Sequence, residues 1–249
     1  MIPALTRFDL TSLSFPKKSG HITGNRAVNH TAKGKRLEEG KVVSIQLQTL
    51  IQLYALSHDR KPVKDTPVWQ VIHKNLSWLQ EELLYADKSV VKEINPLLSL
   101  LQYLLKSIPS GMTVCTSVSY GESTPWNMYC EERRSLVFGW ETARNGIPVL
   151  FDIYHHFYVT AVNEADVAWP AVEKALQELE NESLFKQLQH TYRINLTLHH
   201  RLYLLFTASA GLRTIMMKSW RNETDVRLLR LWKDSLRHNT GRTVRNRRN

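Results

Sequence analysis

Residues 113–138 read TVCTSVSYGESTPWNMYCEERRSLVF, and the change of pattern within this stretch decides the predicted fold. Its first part is rich in β-favouring residues, which predicts a strand over Thr113–Ser119. A turn at Glu131–Arg134 predicts a hairpin that pairs Met128–Cys130 with Leu136–Phe138. We expect a functional site on the polar loop between the strand and the hairpin, because binding and catalytic residues concentrate on loops that a rigid scaffold holds.

Apolar residues recur at helical spacing on both sides of this stretch. Thr66 followed by Pro67 is a typical helix start, because threonine caps free N–H groups and proline suits the first turn. Pro96 is likewise predicted to open a helix, whereas His58–Asp65 is predicted to be a loop. The predicted helices cover residues 42–57, 66–83, 96–108, a segment that begins after Pro148, 169–188, 194–217 and 224–236. This pattern predicts the α+β class, mainly helical, with a small β-hairpin region that carries the site loop.

The two ends of the chain are polar and basic, and the formal net charge of the whole chain is +10. Glycines interrupt residues 1–40, so we expect an irregular segment or the remnant of a further lobe there. Residues 237–249 form a basic tail that we expect to be disordered, which leaves residues 41–236 as the main domain. The tail is a candidate contact for an acidic surface. No aromatic residues interleave with its arginines, so nucleic acid is not an expected partner.

The remaining composition predicts a cytoplasmic protein. The two cysteines, Cys115 and Cys130, form no CxxC pair and are predicted to be reduced thiols. Residues 1–10 lack the basic and apolar regions of a signal peptide. No stretch approaches the roughly 20 apolar residues that span a bilayer, so we expect no transmembrane segment.

Three short motifs occur in order around the predicted hairpin. Residues 120–127 read YGESTPWN, residues 137–141 read VFGWE, and residues 148–156 read PVLFDIYHH. In this order they resemble the catalytic loop His-Gly-Asp-Phe-x-Pro-Trp-Asn, the metal-binding segment apolar-Ile-Asp-Trp-Glu and the helix start Asp-Leu-x-His-Phe of aminoglycoside and choline phosphotransferases. The resemblance implies a protein-kinase-like C-terminal lobe over residues 41–236. Residues 1–40 are too short for that superfamily's sheet lobe, so the N-terminal lobe is expected to be truncated or absent.

The resemblance also implies roles for individual residues. In such kinases an Asp accepts the substrate hydroxyl proton, and an Asn and a second Asp hold the Mg²⁺ ions that bridge the phosphates of ATP. Glu122 matches the catalytic position, and Asn127 and Glu141 match metal-binding positions. The other positions carried over are the nucleotide- or substrate-loop residues Tyr120, Gly121 and Trp126 and the structural residues Pro125 and Asp152.

Several positions depart from the family pattern. Gly139 stands where the metal-binding Asp is expected, and glycine supplies no side-chain ligand. Glu122 is one methylene longer than the expected Asp, and a displacement of about 1 Å can cost on the order of 100-fold in rate. Asp152, at a predicted helix start, is also expected to cap that helix. His155 and His156 are adjacent, so they point to different helix faces, and we expect one to be buried and one exposed.

The resemblance and its departures together predict a pseudokinase whose ATP-dependent phosphoryl transfer is lost or strongly reduced. Such a protein would act by binding a partner protein or a small molecule. One alternative is an active kinase that uses ATP and Mg²⁺ on a sugar, choline-like or aminoglycoside hydroxyl. The other is an interaction module that needs a separate chain for nucleotide binding. The sequence contains no Gly-x-Ser-x-Gly elbow, HExxH pair, zinc-spaced Cys/His set or Walker loop, so other enzyme classes are not expected.

Overall fold

The computed structural model describes residues 35–36, 50–109, 111–121, 128–131, 134–137, 143–163, 168–218 and 222–246. Most of these residues are helical, and short strands form two small antiparallel sheets, so the predicted α+β, mainly helical class is confirmed. The helices are α1 (residues 50–57), α2 (Pro67–Leu83), α3 (Lys88–Lys106), α4 (Phe151–Asn163), α5 (Trp169–Asn181), α6 (Ser183–Thr191), α7 (Leu196–Met216) and α8 (Glu223–Asn246). The strands are β1 (Lys35–Arg36), β2 (Asp59–Pro62), β3 (Thr113–Ser119), β4 (Met128–Glu131), β5 (Arg134–Val137) and β6 (Arg144–Pro148). Predictions for residues 1–34 and 37–49 lie outside the described residues.

The start of α2 confirms the predicted cap. Thr66 is 0% exposed, and its Oγ1 accepts a hydrogen bond from the backbone N–H of Trp69 at 3.2 Å. Pro67 occupies the first turn, where its missing N–H would have no intrahelical partner. Ile72 and Leu79 are completely buried farther along the helix. The helix start predicted from Thr66 and Pro67 is therefore the start of α2 in the structure.

The third helix begins earlier than predicted. α3 starts at Lys88, and Pro96 lies in its interior rather than at its start. Proline lacks the N–H that would bond the carbonyl four residues earlier, so it usually marks a helix boundary. Here Ile94, before the proline, is completely buried, as are Leu101 and Leu104 after it. Burial of one continuous apolar face therefore outweighs the missing hydrogen bond.

The sheet next to the candidate site has β3 in its centre, with β2 and β6 antiparallel to it on either side. The bounds of β3 are those predicted. The predicted loop over residues 58–65 is wrong, because it contains β2 followed by a 3₁₀ turn at Val63–Asp65. β6 was not predicted either. Both edge strands are short and contain few apolar residues, and they form because pairing with β3 satisfies their backbone groups.

The second sheet contains the predicted hairpin. β4 pairs with β5 in antiparallel register, with Met128 opposite Val137 and Glu131 opposite Arg134. β1 pairs with the other edge of β4. The predicted strand pairing is therefore confirmed. β4 ends one residue later than predicted, and β5 begins two residues earlier, at Arg134.

The C-terminal helices differ from the prediction at two places. The helix predicted over residues 169–188 is two helices, because Glu182 has an extended backbone (φ −62°, ψ 136°) between α5 and α6. α8 was predicted to end at Leu236, but it continues to Asn246. Residues 237–246, predicted as part of a disordered basic tail, therefore belong to the helix. Asn239 explains part of this extension, because it is buried and its Nδ2 donates to the Ser235 carbonyl at 2.9 Å.

α7 is the central helix and packs against α2, α3, α4 and α8. Leu202, Leu205 and Leu212 on α7 are completely buried. A Cβ atom placed on Gly211 would lie 2.0 Å from Cη2 of Trp232 on α8. The absence of a side chain at Gly211 therefore lets the two helices approach closely. None of the described helices is both long enough and apolar enough to cross a membrane.

Candidate functional site

The structure describes three of the site residues that the resemblance implies, namely Tyr120, Gly121 and Asp152. The others, together with Gly139, lie outside the described residues, and their roles stay predictions. These are Glu122, Pro125, Trp126, Asn127 and Glu141.

The carboxylate of Asp152 joins the first turn of α4 to the end of β3. Its Oδ1 accepts hydrogen bonds from the Ser119 hydroxyl at 3.0 Å and from the Gly121 N–H at 2.7 Å. Its Oδ2 accepts a hydrogen bond from the Tyr120 N–H at 3.1 Å. Hydrogen bonds to an ionised acceptor are stronger than those between neutral groups. We call this arrangement the Asp152 clamp, and it fixes the backbone at which the site loop begins.

The partners of Asp152 correct the predicted capping role. Its carboxylate bonds β3 and the start of the loop, about 30 residues away in sequence, and not the N–H groups of its own helix. The side chain is 2% exposed. Burial raises the pKa of Asp152, and the N–H groups of Gly121 and Tyr120 and the Ser119 hydroxyl lower it without cancelling the effect of burial.

Two residues with positive φ lie next to the clamp. Gly121 has φ 89°, a conformation that glycine adopts without steric cost. Leu150 has φ 73° just before α4, which costs an L-residue roughly 1–2 kcal/mol. The Leu150 N–H donates to the buried Tyr54 hydroxyl at 2.7 Å. This hydrogen bond holds the chain at the entry to the helix that carries Asp152.

A partly open cavity of about 900 Å³ borders the clamp. Ser119, Gly121 and Asp152 line it, together with side chains from α2, α4, α7 and α8. Its volume lies within the range of about 300–1,000 Å³ that is typical of small-molecule sites. The cavity therefore places room for a ligand directly beside the start of the predicted site loop.

α7 and α8 contribute side chains to this cavity that were not predicted as site residues. Phe206, Arg213 and Trp232 line it, and each lies more than 80 residues from Gly121 in sequence. The leucine-rich pattern of both helices predicts only core packing. One available signal was Arg213, a cation within the mainly apolar C-terminal part of α7.

The adjacent histidines occupy different environments. His156 is 2% exposed, so one predicted burial is confirmed, whereas His155 is half-buried and lines the cavity rather than being exposed. Burial, with a smaller contribution from His155, lowers the pKa of His156 to about 4. Burial also lowers the pKa of His155. Both effects favour the neutral imidazole at neutral pH.

Within the described part of the chain, no group of three or more His, Cys, Asp or Glu side chains is placed to hold a metal ion. The oxygen donors that the resemblance assigns to Mg²⁺, on Asn127 and Glu141, lie outside that part. Cys115 is a free, buried cysteine, as predicted. Burial raises the pKa of its thiol to about 11, so it stays protonated at neutral pH.

Comparison with protein-family models, with curated proteins and with solved structures found no significant match.

Proposed function

We propose that this chain is a kinase-like protein of the aminoglycoside and choline phosphotransferase type, with lost or strongly reduced phosphoryl transfer. It acts by binding a small molecule or a partner protein. The observation that carries this proposal is the Asp152 clamp. The clamp connects the first of the three motifs to the third, since Gly121 and Asp152 are 31 residues apart and hydrogen-bonded.

The clamp supports a loop that has to present side chains at fixed positions. Phosphoryl transfer requires mainly positioning and charge neutralisation from the protein. Asp152 holds the backbone of Tyr120 and Gly121 against α4, and Glu122 is the next residue in the sequence. The chain thus anchors the start of a polar loop on a core helix, beside a cavity of ligand size.

The donor set explains why the proposal includes reduced activity. ATP with Mg²⁺ would supply a transferable phosphoryl group and neutralise its charge. Asn127 and Glu141 are the oxygen donors toward the metal, and Gly139 removes a third one. Mg²⁺ demands near-ideal octahedral oxygen geometry, so a lost carboxylate weakens its binding. Glu122 keeps the carboxylate that accepts a hydroxyl proton, with a longer side chain.

An active small-molecule kinase is the second candidate. The retained carboxylate of Glu122 and the cavity beside the clamp favour it. The two candidates differ in turnover rather than in architecture, so one pair of measurements separates them.

The test is thermal unfolding with and without ATP and Mg²⁺, together with transfer of labelled phosphate to hydroxyl acceptors. Nucleotide at ten times its Kd adds about 1.4 kcal/mol to the free energy of unfolding, which raises Tm by a few degrees. We expect Tm to rise, and we expect the rise to depend on Mg²⁺. This Mg²⁺ dependence should be lost in Asn127→Ala and kept in the control variant Asn163→Ala. Asn163 ends α4 and is exposed.

Two results would change the conclusion. No rise in Tm at saturating nucleotide would contradict the proposal and favour an interaction module that relies on a separate chain. A rise accompanied by rapid transfer to an acceptor would replace the proposed pseudokinase by the active kinase.

A further inference from the structure

We infer that the cavity beside the Asp152 clamp binds an anionic molecule with an aromatic body, held by the Arg213 guanidinium. This inference names the ligand class of the cavity in which the proposed function places small-molecule binding, and only that functional role of the cavity rests on the proposed function. Binding itself is measured without nucleotide, so the two proposals fail independently.

Both acidic side chains that line the cavity already have partners. Asp152 accepts the three hydrogen bonds of the clamp. Asp225, at the start of α8, accepts from Lys218 Nζ at 2.7 Å and from the Asn222 N–H at 3.0 Å. Both carboxylates are also buried, at 2% and 4% exposed, so each is already engaged inside the protein and offers little surface to a cationic ligand.

The arginines that line the cavity are in the opposite situation. Arg213 donates one hydrogen bond to Asn75 Oδ1 at 3.4 Å and lies 5.2 Å from the Trp78 ring centroid. No carboxylate in the described ranges pairs with Arg213 or with Arg144. A guanidinium has five N–H donors in a fork that matches carboxylate, sulfonate and phosphate oxygens. Arg213 is also half-buried, where a charge is less screened by solvent.

The apolar part of the wall is aromatic. The Phe151 ring lies 5.9 Å from Phe206 and 5.5 Å from Tyr203, measured between centroids. Aromatic rings prefer offset or edge-to-face neighbours at such distances, so a flat ring is the complementary ligand body. The aromatic lining residues are Phe151, Tyr158, Tyr203, Phe206 and Trp232.

This wall disfavours the cationic acceptors that the resemblance suggested. A protonated amino sugar or a choline-like ammonium would meet two guanidinium groups and two carboxylates that are already engaged. An aromatic carboxylate, sulfonate or phosphate would instead pair with Arg213 while its ring contacts the aromatic wall. The net positive charge of the chain also favours an anionic ligand, because it attracts anions over a longer range.

The test uses two fluorescent probes that differ by one charge. 1-Anilinonaphthalene-8-sulfonate carries a sulfonate, and N-phenyl-1-naphthylamine is the same ring system without it. We expect the sulfonate probe to bind more tightly and to weaken about tenfold in Arg213→Gln, because a hydrogen bond to a charged group contributes on that order. The uncharged probe should change less than about twofold. Arg237→Gln is the matched control, since Arg237 is exposed on α8 and does not line this cavity.

Filling the cavity tests its location. Ala210 lines the cavity on α7, and Ala210→Phe should abolish binding of both probes. Thr214→Trp, at an exposed position of the same wall, is the second variant if Ala210→Phe does not fold. Equal affinity for the two probes, or sulfonate binding that Arg213→Gln leaves unchanged, would overturn the inference. Binding that survives a folded filling variant would also overturn it.

Discussion

The Asp152 clamp makes a sharp prediction for Asp152→Asn. The substitution keeps the shape of the side chain but replaces one acceptor oxygen by an NH₂ donor. Oδ1 faces Ser119 and Gly121, and Oδ2 faces Tyr120, so either orientation of the amide places a donor against a backbone N–H. At least one charge-assisted hydrogen bond is lost, and at least one backbone N–H, that of the buried Tyr120 or of Gly121, loses its acceptor.

The expected loss of stability follows from these contacts. A hydrogen bond to a charged group contributes about 1.5–3 kcal/mol, and an unsatisfied buried donor costs about 1–3 kcal/mol. Burial raises the pKa of Asp152 despite its three donors, so desolvation of the carboxylate offsets part of this sum. We therefore expect Asp152→Asn to lower the free energy of unfolding by about 2–3 kcal/mol.

Urea unfolding followed by circular dichroism measures this change as a lower midpoint with an unchanged slope. Asp87→Asn is the matched control, because Asp87 is exposed before α3 and makes no side-chain cap hydrogen bond. We expect it to stay within about 0.5 kcal/mol of the wild type. If Asp152→Asn stayed within the same limit, the clamp would not hold the loop as described.

Three further perturbations test the surroundings of the clamp. Tyr54→Phe leaves the Leu150 N–H without its acceptor and should cost about 1–3 kcal/mol in urea unfolding, whereas the same change at the exposed Tyr85 should cost nothing measurable. Gly121→Ala forces an L-residue to φ 89° and should cost about 1–2 kcal/mol; an unchanged midpoint would show that the loop start relaxes freely. His156 has a folded pKa of about 4 against 6.5 when unfolded, so the unfolded state takes up a proton first as pH falls. From pH 7 to pH 5 the free energy of unfolding of the wild type should fall by about 2 kcal/mol more than that of His156→Phe. Parallel profiles of unfolding free energy against pH for the two proteins would contradict this.

The sequence predicts local features of this fold well. Thr66 and Pro67 predicted the start of α2 correctly, and the β-favouring residues before the site loop predicted β3 correctly. Predictions failed where tertiary contacts override local signals. Pro96 lies inside α3 because the core buries Ile94 before it. Asn239 lies in α8, where it is buried and its carbonyl accepts a hydrogen bond from Arg201 on α7. No local pattern reports such contacts.

The candidate site was predictable only in part, for the same reason. The motif containing Asp152 was visible, but its partners were not, because a capping aspartate and a clamping aspartate have the same local sequence. Arg213 and Trp232 reach the cavity from helices whose apolar pattern shows only that they are buried. Folding brings these residues to the cavity that Gly121 also lines, across a sequence separation that periodicity cannot describe.

The proposed function requires a catalytic-type site that lacks one metal ligand. The most direct measurement is isothermal titration of Mg²⁺·ATP into wild type and into Glu122→Asp/Gly139→Asp, with phosphate transfer measured on the same samples. Gly111→Asp is the control for the added charge, because Gly111 is exposed and has open space around it. We predict that the double variant binds Mg²⁺·ATP at least tenfold more tightly than wild type, and that wild type shows no brisk turnover. Wild-type turnover in the range of about 1–100 s⁻¹ that is typical of kinases, or a double variant that binds no better than Gly111→Asp, would contradict the proposed function.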